Sequence, residues 1–430
     1  MKPILQLALD FINLNRALKV AEAAVKGGVD WLEAGTPLIK SEGLDAVREL
    51  RKRFPKVTIV ADMKIMDVGR IETEAAAKAG ANVVCVLAAA SDSTIRECVL
   101  AAKNYGAKIE ADLIEIKERE VDQRAKEVEK LGVDYIGVHC AIDEQMQGKD
   151  VFSKLRKVAQ AVKIPVAAAG GINSQTATRA VKSGAGIIIV GGAITKAQDP
   201  RQAARRIKTA ITTGKEIKTK LFQRVSAGDV YKILKQLSTA NLSDAMHRSG
   251  DLKGLVPLYP GIKMAGPALT VRTYPGDWAK SVEAVDLAQA GEVLVIDAGG
   301  VGPAVWGELT THGAIQRKLC GIVIDGALRD SAEIRKLKFP AFSRLVTPTA
   351  GEPKGFGEIG VAVIVGGMRV ESGDWIVGDD DGVVVIPQGQ VAEIANRAMG
   401  VLEQENRIRA EIDSGSTLAK VIELLRWEKK

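Results

Sequence analysis

The chain has 430 residues, more than one compact core usually holds, so two domains of roughly 200 residues each are expected. Hydrophobic residues at 46%, charged residues at 26% and a mean hydropathy of +0.04 exclude a disordered or fibrous chain, and no apolar stretch reaches the ~20 residues of a membrane span. The net charge is +7, but Lys and Arg lie among Glu and Asp rather than in runs, and aromatic residues make up only 4%; this argues against nucleic acid and suits phosphorylated small molecules.

Short apolar runs alternate with amphipathic stretches from the first residues, the pattern of βα units around a parallel sheet. Eight strands are predicted, at Ile4–Asp10, Val29–Glu33, Val57–Met63, Asn82–Leu87, Lys108–Leu113, Tyr135–His139, Pro165–Ala169 and Ile187–Val190. Helices are predicted between them, including Arg16–Lys26, Gly69–Lys78 and Gln175–Lys182, and a last one runs from about Pro200 to Thr213. Eight units in this length predict a TIM (β/α)8 barrel over residues 1–213. Cys85, Cys98, Cys140 and Cys320 have no CxxC spacing, and Cys85 sits in an apolar run, as reduced buried thiols of a cytoplasmic protein do.

Residues 214–225, with Gly214 and a charge run, form the expected linker. Over 226–430 the barrel grammar stops. Helical stretches at Val230–Ser238 and Leu242–Arg248 precede β runs that include Ala268–Thr273, Glu292–Asp297, Gly321–Asp325, Ala362–Val365 and Gly382–Ile386. Long amphipathic helices between Gln390 and Leu425 close this second α/β domain, and no internal repeat relates the halves.

A barrel keeps its chemistry at the C-terminal ends of its strands, and there this chain offers Asp10, Glu33, Asp62, Lys64, Asp112 and His139. In Asp62-x-Lys64-x-x-Asp67 the first two side chains project to one side of a strand and Asp67 lies in the loop beyond. Asp10, Lys64 and Asp67 are expected to form a charged network that keeps Lys64 protonated; a surface ion pair is the plainer alternative. Glu33 and Asp62, on neighbouring strands, suit a hard divalent ion such as Mg2+ or Mn2+. His139 is either a structural histidine or a proton carrier. Strands seven and eight end in Gly170-Gly171 and Gly191-Gly192; each pair alone reads as a tight turn, but together they stand where barrels bind phosphate.

These residues resemble a known family. Leu7-Ala8-Leu9-Asp10, Glu33-Ala34-Gly35-Thr36-Pro37, Asp62-x-Lys64-x-x-Asp67 and the two Gly-Gly ends are similar to the Mg2+-dependent branch of the orotidine 5'-monophosphate decarboxylase superfamily, and within it to the 3-hexulose-6-phosphate synthases, over residues 1 to about 212. The resemblance implies condensation of D-ribulose 5-phosphate with formaldehyde, or the reverse. It also implies Glu33 and Asp62 as metal ligands, His139 as proton acceptor, Lys64 as oxyanion stabiliser tuned by Asp10 and Asp67, and a homodimer in which Asp67 reaches the partner's site. Ile142 stands where the sibling 3-keto-L-gulonate-6-phosphate decarboxylases carry arginine, which speaks against that activity. Cys140-Ala141 replaces a usual Thr-Gly, and Gly192 replaces an arginine at the phosphate site, leaving anion binding to backbone donors.

In the second half Trp306-Gly307-Glu308-Leu309-Thr310 is followed by Arg329-Asp330. With Val323-Ile324-Asp325-Gly326 and Ser372-Gly373-Asp374-Trp375 it resembles the family joining the regulator of ribonuclease activity A to 4-hydroxy-4-methyl-2-oxoglutarate aldolases, over about 226–420. The resemblance implies Asp330 holding Mg2+, Glu308 orienting a water, Arg329 binding a pyruvyl carboxylate, and backbone N–H groups near Leu309 and Thr310 receiving an enolate. A strand-end ion pair is the plainer reading of Arg329-Asp330. A non-enzymatic binding domain is the alternative for the whole half, because Glu308 stands where the aldolases have Asp. Ala298-Gly299-Gly300-Val301-Gly302 lacks dinucleotide spacing and is expected to line the site, while His247 and His312 are expected to be structural. A dimeric barrel joined to a family that often forms trimers suggests a hexamer.

Overall fold

A computed structural model of the chain describes residues 2–219, 224 and 230–422, without the side chain of residue 142. Residues 220–223 and 225 of the expected linker, 226–229 of the second domain, and the tail from 423 onwards lie outside the described residues. By their contacts the described residues form two compact units. One comprises the described residues of 1–145, of 149–224 and from 403 on; the other comprises 146–148 and the described residues of 225–402.

The first unit is a closed parallel barrel in which each strand pairs with its neighbours in chain order and the eighth returns to the first. Its strands are β1 (Ile4–Leu9), β2 (Trp31–Ala34), β3 (Thr58–Ile65), β4 (Val83–Leu87), β5 (Lys108–Asp112), β6 (Tyr135–His139), β7 (Val166–Ala169) and β8 (Ile187–Val190). Buried on both faces, they read as near-continuous apolar runs such as Ile187–Val190. The helices are α1 (Leu14–Lys26), α2 (Thr36–Glu42), α3 (Asp45–Arg53), α4 (Gly69–Lys78), α5 (Asp92–Tyr105), α6 (Val121–Lys130), α7 (Ile142–Met146), α8 (Phe152–Ala161), α9 (Ala177–Lys182), α10 (Gly192–Thr195) and α11 (Pro200–Thr213). Side chains set their ends: Asn13 caps α1 and Ser91 caps α5, while Asp199 caps α11 with Pro200 at its first position. The main core lies between strands and helices, from Leu7 and Leu32 to Leu155 and Ile207. Inside the barrel, Trp31 and Tyr135, the first residues of β2 and β6, pack edge to face at 5.6 Å and fill the end opposite the chemistry.

One strand departs from the expected pattern. β3 runs to Ile65, and its register with β4 shifts between Ala61 and Ile65. Lys64, inside that irregularity, has φ 48, a left-handed backbone uncommon for a side-chain-bearing residue. Strict alternation therefore does not set the direction of Lys64.

The second unit contains, among its described residues, a nine-stranded mixed sheet. Its main path joins β19 (Gly382–Ile386), β18 (Trp375–Asp379), β10 (Met264–Arg272), β11 (Val293–Asp297), β13 (Gly321–Leu328), β14 (Ala341–Val346) and β9 (Val256–Pro257). β12 (Ala304–Trp306) pairs with β13, β15 (Glu358–Ile359) with β10, and β16 (Val363–Val365) with β17 (Met368–Val370). Helices α12 (Val230–Leu234), α13 (Thr239–Ala245), α14 (Ala279–Leu287), α15 (Glu308–Gln316) and α16 (Ser331–Leu337) accompany it. α12 is shorter than the periodicity predicts, and α13 begins three residues earlier than predicted, because Ser238 and Asn241 form a reciprocal capping box that starts it at Thr239. The closing helices are α17 (Val391–Asp413) and α18 (Leu418–Val421), and no described helix is long and apolar enough to cross a membrane.

Candidate active site

A cavity of about 350 Å³ opens at the C-terminal ends of the barrel strands, within the size range of small-ligand pockets. The structure brings Asp10, Glu33, Asp62, Lys64, Asp112 and His139 to its wall, with Gly170, Gly171, Gly191 and Gly192 on the side of strands β7 and β8. Lys64 Nζ lies 3.1 Å from Asp62 Oδ2 and 3.0 Å from Asp112 Oδ2. His139 Nδ1 is 3.3 Å from the same Asp112 oxygen. Burial acts to discharge the Lys64 ammonium, but the Asp112 and Asp62 carboxylates outweigh it and raise the lysine above its ordinary value. Asp112 behaves conversely: burial pushes it up, yet His139 and Lys64 hold it down at about 2.

Beside this network stands a crowded acidic group. Glu33 is buried, and burial together with the Asp62 and Asp10 charges pushes it well above the carboxylate range, against a 2.6 Å hydrogen bond donated by Gln6 Nε2 to Glu33 Oε2. Burial and Asp62 likewise raise Asp10. Thr36 Oγ1 is 2.7 Å from Asp62 Oδ2 and fixes that carboxylate. Gly35 leaves room for the acid beside it: a Cβ there would lie 2.2 Å from Asp10 Oδ1, so a larger residue would displace that carboxylate. Deeper in the cavity, burial and the charges of Asp112 and Asp62 push Glu110 up to about 8.

Asp67 does not join this network within the chain. It is exposed, and its Oδ1 accepts from the amide of Val68, whose own left-handed backbone (φ 53) starts α4. The carboxylates that flank Lys64 are Asp62 and Asp112 rather than Asp10 and Asp67, because the irregularity in β3 carries the ammonium across β4 to the end of β5. The signal for Asp112 was the Glu110-x-Asp112 alternation at that strand's end. Gln145 also lines the cavity; it is buried, its Nε2 donates to the Cys140 carbonyl at 2.7 Å, and its Oε1 has no partner among the described residues. Gly170 and Gly171 have φ of 108 and 67, and Gly192 opens the short helix α10.

In the second unit, Glu308 begins α15 and Arg329-Asp330 follow β13. The Glu308 amide donates to Asp330 Oδ2 at 3.1 Å, and Arg329 Nε lies 3.5 Å from the same oxygen. Leu309 and Thr310 occupy the first turn of α15, whose amides have no intrahelical acceptor; Leu309 is 81% exposed. His312 is not a core residue: it lies on the exposed face of α15 with Nε2 3.4 Å from Glu308 Oε1. His247, with φ 57, sits in the left-handed turn that follows α13. In the glycine-rich loop, the amides of Ala298 and Gly300 bond the Asp325 carbonyl.

Residues 3–207 match the family described as Orotidine 5'-phosphate decarboxylase / HUMPS, and residues 239–385 match the RraA-like family, described as Aldolase/RraA. The chain is 41% identical over 211 residues to the 3-hexulose-6-phosphate synthase of Bacillus subtilis (strain 168), a match covering 49% of this chain and 99% of that one. The chain belongs to the orotidine 5'-phosphate decarboxylase / HUMPS family. It carries an RraA-like domain after the family's barrel. The crystal structure of 3-hexulose-6-phosphate synthase from Salmonella typhimurium is 35% identical, covering 50% of this chain and 100% of that one, with a TM-score of 0.48. The structure of the RNA-processing inhibitor RraA from Thermus thermophilis is 27% identical, covering 35% of this chain and 93% of that one, with a TM-score of 0.33. By its sequence likeness to the Bacillus subtilis synthase the chain is an enzyme, an aldehyde-lyase similar to the 3-hexulose-6-phosphate synthases.

The Mg2+ expected of this HUMPS-family barrel can be tested against the residues present. Among the described residues no group of three or more His, Cys, Asp and Glu is disposed to hold a metal alone. Mg2+ needs less, because it keeps several waters and takes one or two carboxylates with substrate oxygens. Asp10, Glu33 and Asp62 repel one another across the cavity; among the described residues Lys64 is the one ammonium lining it, and the buried Gln6 Oε1 beside Glu33 has no hydrogen-bond partner. An added divalent cation relieves that excess charge. The residues fit it.

Proposed function

We propose that the barrel joins D-ribulose 5-phosphate to formaldehyde, giving 3-hexulose 6-phosphate, or runs the reaction in reverse. The observation that carries this reading is the single Asp112 oxygen that holds both Lys64 and His139 at the edge of the cavity. His139 takes the proton from C1 of the ketose, and Asp112 orients its ring through Nδ1. Lys64, kept charged by its two carboxylates, stabilises the oxygen on which negative charge develops. The carbanion carbon then bonds to the formaldehyde carbon, and the aldehyde oxygen takes up a proton. Backbone donors at Gly170, Gly171, Gly191 and Gly192 receive the substrate phosphate. Glu33 and Asp62 would hold Mg2+ or Mn2+, which when bound polarises the ketose oxygens and makes the C1 proton more acidic. Asp10 biases this set electrostatically, and Asp67, pointing outward, serves the site of a second subunit in a homo-oligomer.

For the second domain we infer an aldolase- or decarboxylase-like activity on a pyruvyl substrate, using Asp330 and Glu308 for a metal and its water and Arg329 for the carboxylate. The α15 amides of Leu309 and Thr310, which have no acceptor in the helix, support this reading. Sequence domains at 1–213, 214–225 and 226–430, of which the described residues from 403 group with the barrel by their contacts, and a cytoplasmic location belong to the same proposal.

The test is formaldehyde consumption with D-ribulose 5-phosphate and Mg2+, comparing wild type with Asp62→Ala. Metal-dependent consumption that disappears in the variant supports the reading. A folded wild type that consumes no formaldehyde but releases CO2 from a 3-keto-sugar-acid phosphate sinks it in favour of the decarboxylase.

A further inference from the structure

A second cavity, of about 570 Å³, adjoins the first, and Asp10 lines both. One side of it is the loop after β1 with Arg16 at the start of α1; the other comes from the far end of the chain, with Arg407, Ile408 and Val421. The described residues beyond 403 group with the barrel by their contacts. The Bacillus subtilis relative is matched over 99% of its length by only 211 residues, so this segment is an addition to a barrel already whole.

The addition is tied down by charge. Arg16 Nη2 lies 2.6 Å from Glu411 Oε1, and Arg407 Nη1 reaches the same oxygen at 2.8 Å. Arg16 Nη1 donates to the Val421 carbonyl at 3.2 Å. The three side chains are 20%, 13% and 33% exposed for Arg16, Arg407 and Glu411, so these charge-assisted bonds are only partly screened. On its other side Arg16 is coupled to the loop that leaves the catalytic wall. Its guanidinium stands 5.9 Å from the Phe11 ring centroid, and its amide donates to Asn13 Oδ1 at 2.7 Å. Phe11 is the residue after Asp10.

We propose that Glu411 is a positioning residue for the barrel's reaction: through Arg16 it fixes the segment 10–13 and with it the direction of the Asp10 carboxylate. This rests on Asp10 belonging to the aldol site. The C-terminal segment is then a working part of the barrel's catalytic end in this chain.

The full chain is compared with Glu411→Gln, Glu411→Asp and Arg16→Gln, the last breaking the same clamp from the barrel side. Formaldehyde consumption, melting temperature and amide hydrogen exchange at residues 11–14 are measured on each. Glu411→Gln and Arg16→Gln should lower kcat about ten-fold, as a misplaced charged group does, with KM for ribulose 5-phosphate held within about two-fold and an unchanged melting temperature. Exchange at 11–14 should rise, and Glu411→Asp should recover most of the rate. Wild-type kcat in Glu411→Gln, or a loss of rate that only tracks loss of folded protein, overturns the proposal. A wild type without formaldehyde consumption sinks the aldol reading instead; exchange at 11–14 then decides the clamp alone, and no rise in either variant overturns it.

Discussion

Lys64 Nζ stands 3.0 Å from Asp112 Oδ2, and the pair bridges from β3 to β5 across β4. Both side chains line the interior cavity, where residues of alternate strands share a layer. The left-handed backbone at Lys64 breaks the register of β3 and swings the ammonium sideways. Strain of this kind persists where surrounding contacts fix it, here two carboxylates on one ammonium.

Replacing Asp112 by asparagine therefore removes two things at once, a counter-charge from Lys64 and the oxygen that orients His139. The expected result is a fall in kcat of about 100-fold, in the range of a lost acid–base arrangement, with little change in KM. Asp112 also carries a pH signature. Its folded value of about 2 lies below the ~3.9 of an unfolded aspartate, so it contributes stability that is present above about pH 4 and lost as pH falls towards 2. Denaturation midpoints between pH 6 and 2.5 should fall less steeply for Asp112→Asn than for wild type. An equal slope in both proteins counts against the ion pair.

Much of this was legible in the sequence. The eight barrel strands fall on the predicted runs to within two residues at their starts, because buried parallel strands are short apolar segments bounded by polar ends. The charged strand ends Asp10, Glu33, Asp62, Lys64 and His139 converge as their placement predicts. What periodicity did not carry was the partner of Lys64. Period-2 alternation presumes an unbroken strand, and the irregularity after Ala61 hands the lysine to Asp112 while Val68 turns Asp67 outward. The clamp between Arg16 and Glu411 was equally hidden, since its partners stand 395 positions apart and each reads as an ordinary helix-surface charge.

Glu110 supplies the opposite pH dependence. Burial and the neighbouring Asp112 and Asp62 charges raise it to about 8, far above the ~4.3 of an unfolded glutamate. A carboxyl with a raised folded value favours the folded state fully below about pH 4 and loses that contribution as pH rises through 8. Its neutral form is what the fold accommodates. Glu110→Gln keeps the shape and removes the ionisation, so wild type should lose stability between pH 6 and 9, on the order of a few kcal/mol, while the variant stays flat. Urea midpoints at the two pH values measure it. Parallel pH slopes in the two proteins would show that Glu110 ionises freely in the fold.

The second domain is tested by separating its chemistry from that of the barrel. Asp330 Oδ2 accepts the Glu308 amide and faces Arg329 Nε, which places an acid, a guanidinium and the amides opening α15 at one point. Asp330 itself has φ 58, and it is exposed, so its removal costs little packing. Asp330→Ala should abolish Mg2+-dependent pyruvate release from 4-hydroxy-4-methyl-2-oxoglutarate, with a stability loss of about 1 kcal/mol from the lost helix-terminal bond. Formaldehyde consumption by the same variant should stay at the wild-type level, because no barrel residue is altered. Pyruvate release that survives in Asp330→Ala removes this residue from the chemistry. A wild type that releases none under any divalent ion makes Glu308, one methylene longer than the aspartate of the aldolases, part of a binding surface in which the Arg329–Asp330 pair orders the first turn of α15 instead of a substrate.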